Sequence, residues 1–362
     1  AGNINNIPMF GEETTTDLYA LTIPIGDVKG SIIGVTDIPL WPKTLIFDIL
    51  YGEFNKYNQR SYLDRTMKSK KDDFINLELD KTNFSGGRFI FSLFDRMFEL
   101  YRFQYNIKSN ISAVRDNKGN LIYNLNQEFD VEAITYGSLI DYTDDRTDPL
   151  KGIRFNYNYD DSPQQDPDSP DYYVQEFNLS GYMPIKKSSI ALNWYRAGAT
   201  VRKQGNTDLN SLIALETARC YANCDSATIN SRAKNQQALN RYGSAGGLGG
   251  PTRLRSFAQN RYSGPQVAFR GIEYRWNFSD KETPIEYYII SDTAINFQLA
   301  FFYEEGSIAD TANDLWNEMK SSTGLGFRIV TTSQFVYRID FASGQEGNEF
   351  IFWFDYPWGA VQ

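Results

Sequence analysis

Polar and apolar residues alternate one by one through much of this chain. From Lys151 the sequence runs KGIRFNYNYD, with Ile153, Phe155, Tyr157 and Tyr159 on one face and Arg154, Asn156, Asn158 and Asp160 on the other. From Tyr101, YRFQYNIK sets Tyr101, Phe103, Tyr105 and Ile107 against Arg102, Gln104, Asn106 and Lys108. FVYRIDF opposes Phe335, Tyr337, Ile339 and Phe341 to Val336, Arg338 and Asp340, and Phe350, Phe352, Phe354 and Tyr356 share a face near the end. A period of two belongs to strands, not helices. A soluble β-sandwich alternates as well, because it buries one face of each sheet. Here the polar face carries charge or amide at nearly every position and the apolar face is mostly aromatic, which favours a barrel with a wet interior and a lipid-facing exterior.

Turn signals divide the chain into about sixteen strands, at 18–26, 30–37, 44–52, 59–66, 73–80, 87–95, 98–108, 129–142, 151–160, 171–182, 187–204, 265–279, 285–305, 323–331, 335–343 and 348–356. An even number suits an all-β, sixteen-stranded antiparallel transmembrane β-barrel, whose closure leaves no sheet edge facing lipid. Short connections at 39–43, 183–186, 279–284 and 332–334 fall at one end, and long ones at 109–128, 161–170, 206–264 and 306–322 fall at the other. Outer-membrane barrels keep short turns on the periplasmic side and long loops outside. Both termini are therefore expected in the periplasm, with 1–17 as an N-terminal tail, 18–358 as the barrel and 359–362 as a C-terminal tail.

Composition narrows the chemistry. Aromatic residues make up 15% of the 362 residues, yet the mean hydropathy is polar at −0.48. No apolar run approaches the ~18 residues that a membrane helix needs, and with no secretory apolar segment at its start an exported chain is expected in its mature form. There are 36 basic and 45 acidic side chains, a formal charge of −9, which argues against a nucleic-acid partner. With no histidine, a Ser-His-Asp triad, a Cys-His pair and a His-ligated metal are all excluded. Two cysteines can form neither a disulfide framework nor a four-thiolate zinc site. The acidic, proline-rich DDSPQQDPDSPD at 160–171 reads as a solvated loop in preference to a Ca²⁺ site. No cofactor and no metal are expected.

The 206–264 connection is too long to be structureless without a reason. It opens with Asp208 as an N-cap, followed by helical spacing at Leu209, Leu212, Ile213 and Leu215. Cys220 and Cys224 lie four apart in this segment. On a continuous helix their Cβ atoms would be about 5–6 Å apart, against the ~3.8 Å of a disulfide, so a bridge requires the helix to end near Cys220. An oxidising exterior favours the bridge over two free thiols.

The loop ends in GGLGGPTRLRSFAQNRYSG. Together with DDRTDPLKG at 144–152, GIEYRW at 271–276, FYEEG at 302–306 and the closing GLGFR, YRIDFASG and FIFWFDYPW, this order of segments resembles the bacterial outer-membrane surface-antigen superfamily. That superfamily includes the BamA-type barrel-assembly insertases and the two-partner-secretion transporters. The resemblance is most specific over about 140–358. It implies that the sixth external loop, 206–264, folds into the lumen and carries a hydrophobic-Arg-Gly-aromatic tetrad, matched here by Leu254, Arg255, Ser256 and Phe257. The family's aromatic-any-Asp-any-Gly motif is matched by Phe302, Tyr303, Glu304, Glu305 and Gly306, and a family acidic position by Glu273.

Alternation allows Glu273 and Glu304 to point inward, where a planar guanidinium on a loop folded into the lumen could bind both as a lock. Phe257 is expected to pack beside Gly306. By resemblance the function is insertion or translocation of polypeptides at the outer membrane, without chemical catalysis, through a weak seam between strands 18–26 and 348–356 (Leu18, Ile23, Phe350, Phe352, Phe354). A passive channel and a structural platform for partner proteins are the alternatives. The implied partners are the lipid bilayer and other outer-membrane or periplasmic proteins. The family's periplasmic polypeptide-transport-associated domains precede the barrel, whereas about 17 residues precede the first expected strand here, so capture of a substrate is expected to lie outside this chain. The end also differs from the family pattern, with Gly359-Ala360-Val361-Gln362 following Trp358.

Overall fold

The computed structural model describes residues 2–8, 15–25, 28–220, 225–279, 283–287, 290–331 and 336–358. The first ten strands are β1 (Gly2–Pro8), β2 (Thr15–Ile25), β3 (Val28–Trp41), β4 (Leu45–Tyr62), β5 (Phe74–Leu93), β6 (Phe98–Arg115), β7 (Leu121–Thr143), β8 (Gly152–Ser162), β9 (Asp171–Ile185) and β10 (Ser188–Lys203). Two helices follow, α1 (Leu209–Ala218) and α2 (Ser226–Tyr242). The remaining strands are β11 (Gly247–Leu248), β12 (Tyr262–Ser263), β13 (Gln266–Asn277), β14 (Thr283–Tyr287), β15 (Ile290–Ala309), β16 (Lys320–Thr331), β17 (Val336–Gly344) and β18 (Gly347–Phe354). One antiparallel sheet takes the strands in chain order from β1 to β10, then β13, β15, β16, β17 and β18, with β14 paired to β15; β11 and β12 form a separate pair.

The sheet has sixteen strands among the described residues, but they differ from the sixteen that the turn signals mark. The expected strands 44–52 and 59–66 are one strand, β4, and 73–80 and 87–95 are one strand, β5. The polar runs read as turns stay in register, with Glu53 opposite Asn83, Phe54 opposite Thr82 and Asn55 opposite Lys81. A strand whose two faces are both wetted loses the alternation by which strands are recognised, although its ladder is intact. The expected loop 109–128 shrinks to 116–120, because β6 continues to Arg115 and β7 starts at Leu121. The expected strand 285–305 is instead β14 and β15. At the start, the expected tail 1–17 contains β1, which pairs with β2 from Pro8 opposite Thr15 to Gly2 opposite Ala20.

The chain divides into two compact units. The first comprises Ala1–Ser138, Asn158–Gln175 and Ala199–Gly243. Its apolar core joins Ile75 and Leu79 of β5, Ile111 and Val114 of β6, and Tyr123 and Leu125 of β7, with Cys220 packed against its edge. Helix α1 starts at Asp208, whose side chain accepts from the Ser211 amide, and ends before Cys220, as the spacing requires. Helix α2 was not foreseen, since its sequence SATINSRAKNQQALNRY has no apolar stripe. It buries Ile229 and Ala233, and polar contacts add to them: Asn235 donates to the Tyr62 carbonyl at 3.1 Å, and Arg232 meets Glu216 at 2.6 Å. The expected Cys220–Cys224 bridge falls on Cys224, which lies outside the described residues.

The second unit comprises Leu139–Tyr157, Glu176–Gly198 and Ser244–Gln362. Burial along its strands is the reverse of a soluble protein's. On β17, Arg338, Asp340 and Ala342 are buried while Tyr337, Ile339 and Phe341 are exposed. On β13, Glu273 and Arg275 are buried while Ile272, Tyr274 and Trp276 are exposed; on β15, Phe302 and Glu304 are buried while Phe301 and Tyr303 are exposed. Charge inward and aromatics outward is the distribution that a lipid-facing sheet needs.

Candidate functional site

The tip of the long loop, 249–261, is closed by the two-residue ladder that pairs Gly247 with Ser263 and Leu248 with Tyr262. Inside it, the Gly249 amide donates to the Arg253 carbonyl at 3.0 Å, Gly250 to Phe257 at 2.9 Å and Phe257 to Leu254 at 3.0 Å. Gly249 has φ of +108°, and a Cβ there would lie 2.1 Å from the Ala258 carbonyl oxygen, so this turn requires glycine. Leu254 takes the left-handed conformation of the turn, at φ +53°. Ser256, which the resemblance matches to a glycine, is not among the left-handed residues of the described chain, so a side chain fits there.

The turn delivers Arg255 to the buried face of the sheet, where its side chain has no exposure. Its amide donates to Glu304 Oε2 at 2.9 Å and its Nε to Glu304 Oε1 at 2.8 Å. Nη1 reaches Asp340 Oδ2 at 2.8 Å and Nη2 reaches Glu273 Oε2 at 3.1 Å. One guanidinium thereby ties the loop to β13, β15 and β17. The Phe302 ring lies against it, 3.4 Å from Cζ to the centroid. Burial alone would lower the arginine's pKa, but Glu304, Asp340 and Glu273 outweigh it and raise the pKa above its ordinary value.

Glu273 is the hub. Arg328 binds it in a fork, Nη1 at 2.8 Å and Nη2 at 2.6 Å, and Arg275 Nε adds a bond at 2.9 Å. Arg338 meets Asp340 at 3.3 Å and donates through Nη2 to the Pro251 carbonyl at 2.7 Å, a second tie to the loop. Such charge-assisted bonds are roughly twice as strong as neutral ones, and removing one partner of a buried set costs about 3–5 kcal/mol, mostly by stranding the charges that remain.

Leu254, Arg255, Ser256, Phe257, Glu273, Phe302, Glu304 and Gly306 all fall in the second unit, and the hydrogen bonds above join Arg255 to both expected carboxylates. A Cβ on Gly306 would meet Leu248 at 2.6 Å and Leu254 at 3.0 Å, so these two leucines lie nearest Gly306, and Phe257 packs edge-on against Tyr262 at 5.4 Å. Asp340 and Arg338 are expected on the polar face of their strand but not as partners of this site, and Arg328 and Arg275 lie outside the expected set. Alternation in YRIDF, GFR and GIEYRW turns them inward, but only the register, with Gly271 opposite Glu304 and Gly326 opposite Asp340, places them beside Arg255. The expected seam is altered by β1. Strand β2, which carries Leu18 and Ile23, pairs with β1 as well as β3, while Phe350 and Phe352 lie exposed on β18 and Phe354 stands opposite Tyr337.

Among the described residues no group of His, Cys, Asp or Glu side chains is placed to hold a metal ion, and no helix is long and apolar enough to cross a membrane. No protein-family model and no curated protein matches the chain. Among solved structures it is similar to BamA from Haemophilus ducreyi lacking POTRA domains 1–3, with a TM-score of 0.53 and 11% identity over 95% of this chain and 64% of that one. It also aligns with CdiB from Escherichia coli, with a TM-score of 0.47 and 9% identity over 98% of this chain and 59% of that one. The chain thus spans less than two-thirds of either structure's length. The BamA likeness shows an all-β fold of the BamA-barrel type.

Proposed function

We propose that this protein, having the fold of the BamA barrel, is a bacterial outer-membrane barrel that assists the insertion or translocation of polypeptides without chemical catalysis. The carrying observation is the loop tip fixed through Arg255 to carboxylates on three strands. Four arginines and three carboxylates interlocked on a buried face set a shape. The outward aromatics of β13, β15 and β17 support a lipid surroundings for residues 18–358. The partners on this reading are the bilayer and further outer-membrane or periplasmic proteins that present the substrate.

The test is reconstitution into lipid vesicles, followed by addition of an unfolded outer-membrane barrel whose folding is timed. Faster folding that is lost in Arg255→Ala is the expected result. Unchanged folding in vesicles made leaky to ions would replace this reading by the passive channel.

A further inference from the structure

Strand β18 ends at Phe354, and the backbone amide of Asp355 still donates to the Val336 carbonyl at 2.7 Å. There the chain leaves the ladder. Asp355 and Trp358 both take left-handed angles, φ +68° and +67°, and Tyr356 and Trp358 are buried at 7% and 3% exposure. What holds them is side-chain chemistry. The Tyr356 ring lies 3.9 Å from Arg275 Cζ and 5.0 Å from Arg328 Cζ, and its hydroxyl donates to Gln298 Oε1 at 3.2 Å and to Asp148. Tyr182 faces Arg275 as well, at 5.4 Å. Among the described residues neither Nη of this buried arginine has a hydrogen-bond partner. The two rings therefore complement the cation where hydrogen bonds do not.

Trp358 reaches the loop lock directly. Its Nε1 donates at 3.3 Å to Glu304 Oε1, the same oxygen that accepts from Arg255 Nε. Its ring lies 6.2 Å from that of Phe269 and 5.7 Å from Arg255 Cζ, and Asn178 Nδ2 donates to its carbonyl at 3.4 Å. The wall is cut to fit it: a Cβ on Gly271 would stand 2.6 Å from the indole.

We infer that the buried face of β13, β15 and β16 carries a cleft for an aromatic-Pro-aromatic chain segment, filled in cis by Tyr356-Pro357-Trp358, and that the filled cleft steadies the loop tip through the shared Glu304. This rests on the lock reading above. Arg275 and Arg328 select aromatic faces, Gly271 selects a flat ring, and Glu304 selects a donor on that ring. An intact strand end alone would not supply these groups, which makes the segment a tethered ligand of the arginine network.

The experiment uses the full chain in lipid vesicles and reads the rate of proteolytic cleavage within 244–265, with circular dichroism to verify the strand content of every variant. The double variant Tyr356→Ala with Trp358→Ala is expected to be cleaved roughly thirtyfold faster, the size of one desolvated cation–π contact. Gly271→Ala, which leaves both aromatics in place but fills the space of the indole, is expected to change cleavage in the same direction. The peptide amide Tyr-Pro-Trp, added at about millimolar strength to match a tethered segment, is expected to slow cleavage of the double variant. Arg255→Lys is the control for the lock. Faster cleavage in Arg255→Lys with no change in the double variant overturns the cleft alone, no change in either overturns the lock as well, and a double variant that the peptide never slows shows that the aromatics only fill space.

Discussion

At Arg255 three carboxylates from three strands converge on one planar cation, and its substitution separates charge from shape. Lysine keeps the charge but offers one nitrogen in place of a fork, so Arg255→Lys should free the loop tip to nearly the extent of Arg255→Ala. A buried ion set is weak evidence for stability in itself, since desolvation offsets much of the attraction. The network is better understood as fixing which residue meets which. A double-mutant cycle checks this: Arg255→Met alone should destabilise by about 3–5 kcal/mol in chemical denaturation, and adding Glu304→Gln should recover part of that loss by removing a stranded charge. Strict additivity of the two would count against the network. Ser256 shows how far a residue could be understood from sequence. The motif draws attention to it, but the left-handed angle belongs to Leu254, and room for the serine is made across the site by Gly344, where a Cβ would lie 2.1 Å from the Ser256 hydroxyl.

Elements were legible wherever one face is dry. Strands β13, β16, β17 and β18 lie within a few residues of their expected places because their charges and aromatics alternate cleanly. Helix α1 was legible through Asp208 and its apolar spacing, whereas α2 was hidden because polar bonds help to hold it. The cap of α2 gives a pH prediction. The Thr228 hydroxyl, then the Thr228 and Ala227 amides, hold the Asp225 carboxyl below the usual carboxylate range. A carboxyl lowered in the fold contributes fully above its unfolded value of about 3.9, and that contribution fades as pH falls through the folded value. Protection of the 226–230 amides, relative to their intrinsic exchange at each pH, should therefore fall on acidification below about pH 4, and Asp225→Ala should mimic it at neutral pH with a loss of about 1 kcal/mol. Equal exchange in the variant and the parent would remove Asp225 as the cap.

For the molecule as a whole, the sense of burial separates lipid from water as the surroundings. Phe301, 51% exposed on β15, lies next in the chain to the buried Phe302. Phe301→Arg should cost about 2–4 kcal/mol for folding into vesicles if it sits near the bilayer midplane; a soluble sheet would tolerate the same change at an exposed site within about 0.5 kcal/mol. The measurement is the folding equilibrium in lipid against denaturant. The lengths of β4 and β5 carry a further consequence on the membrane reading. Twenty residues of β5 at about 3.3 Å each extend roughly 65 Å, while a lipid-facing apolar band is only about 25 Å tall. With strands tilted by about 35–45°, roughly half of this hairpin then stands clear of the bilayer, crowned by Lys68, Lys70 and Lys71. That crown is too polar to dissolve in hydrocarbon, so during biogenesis it must be threaded across before its two strands zip, and passage of this hairpin becomes the step on which assembly of the whole wall waits.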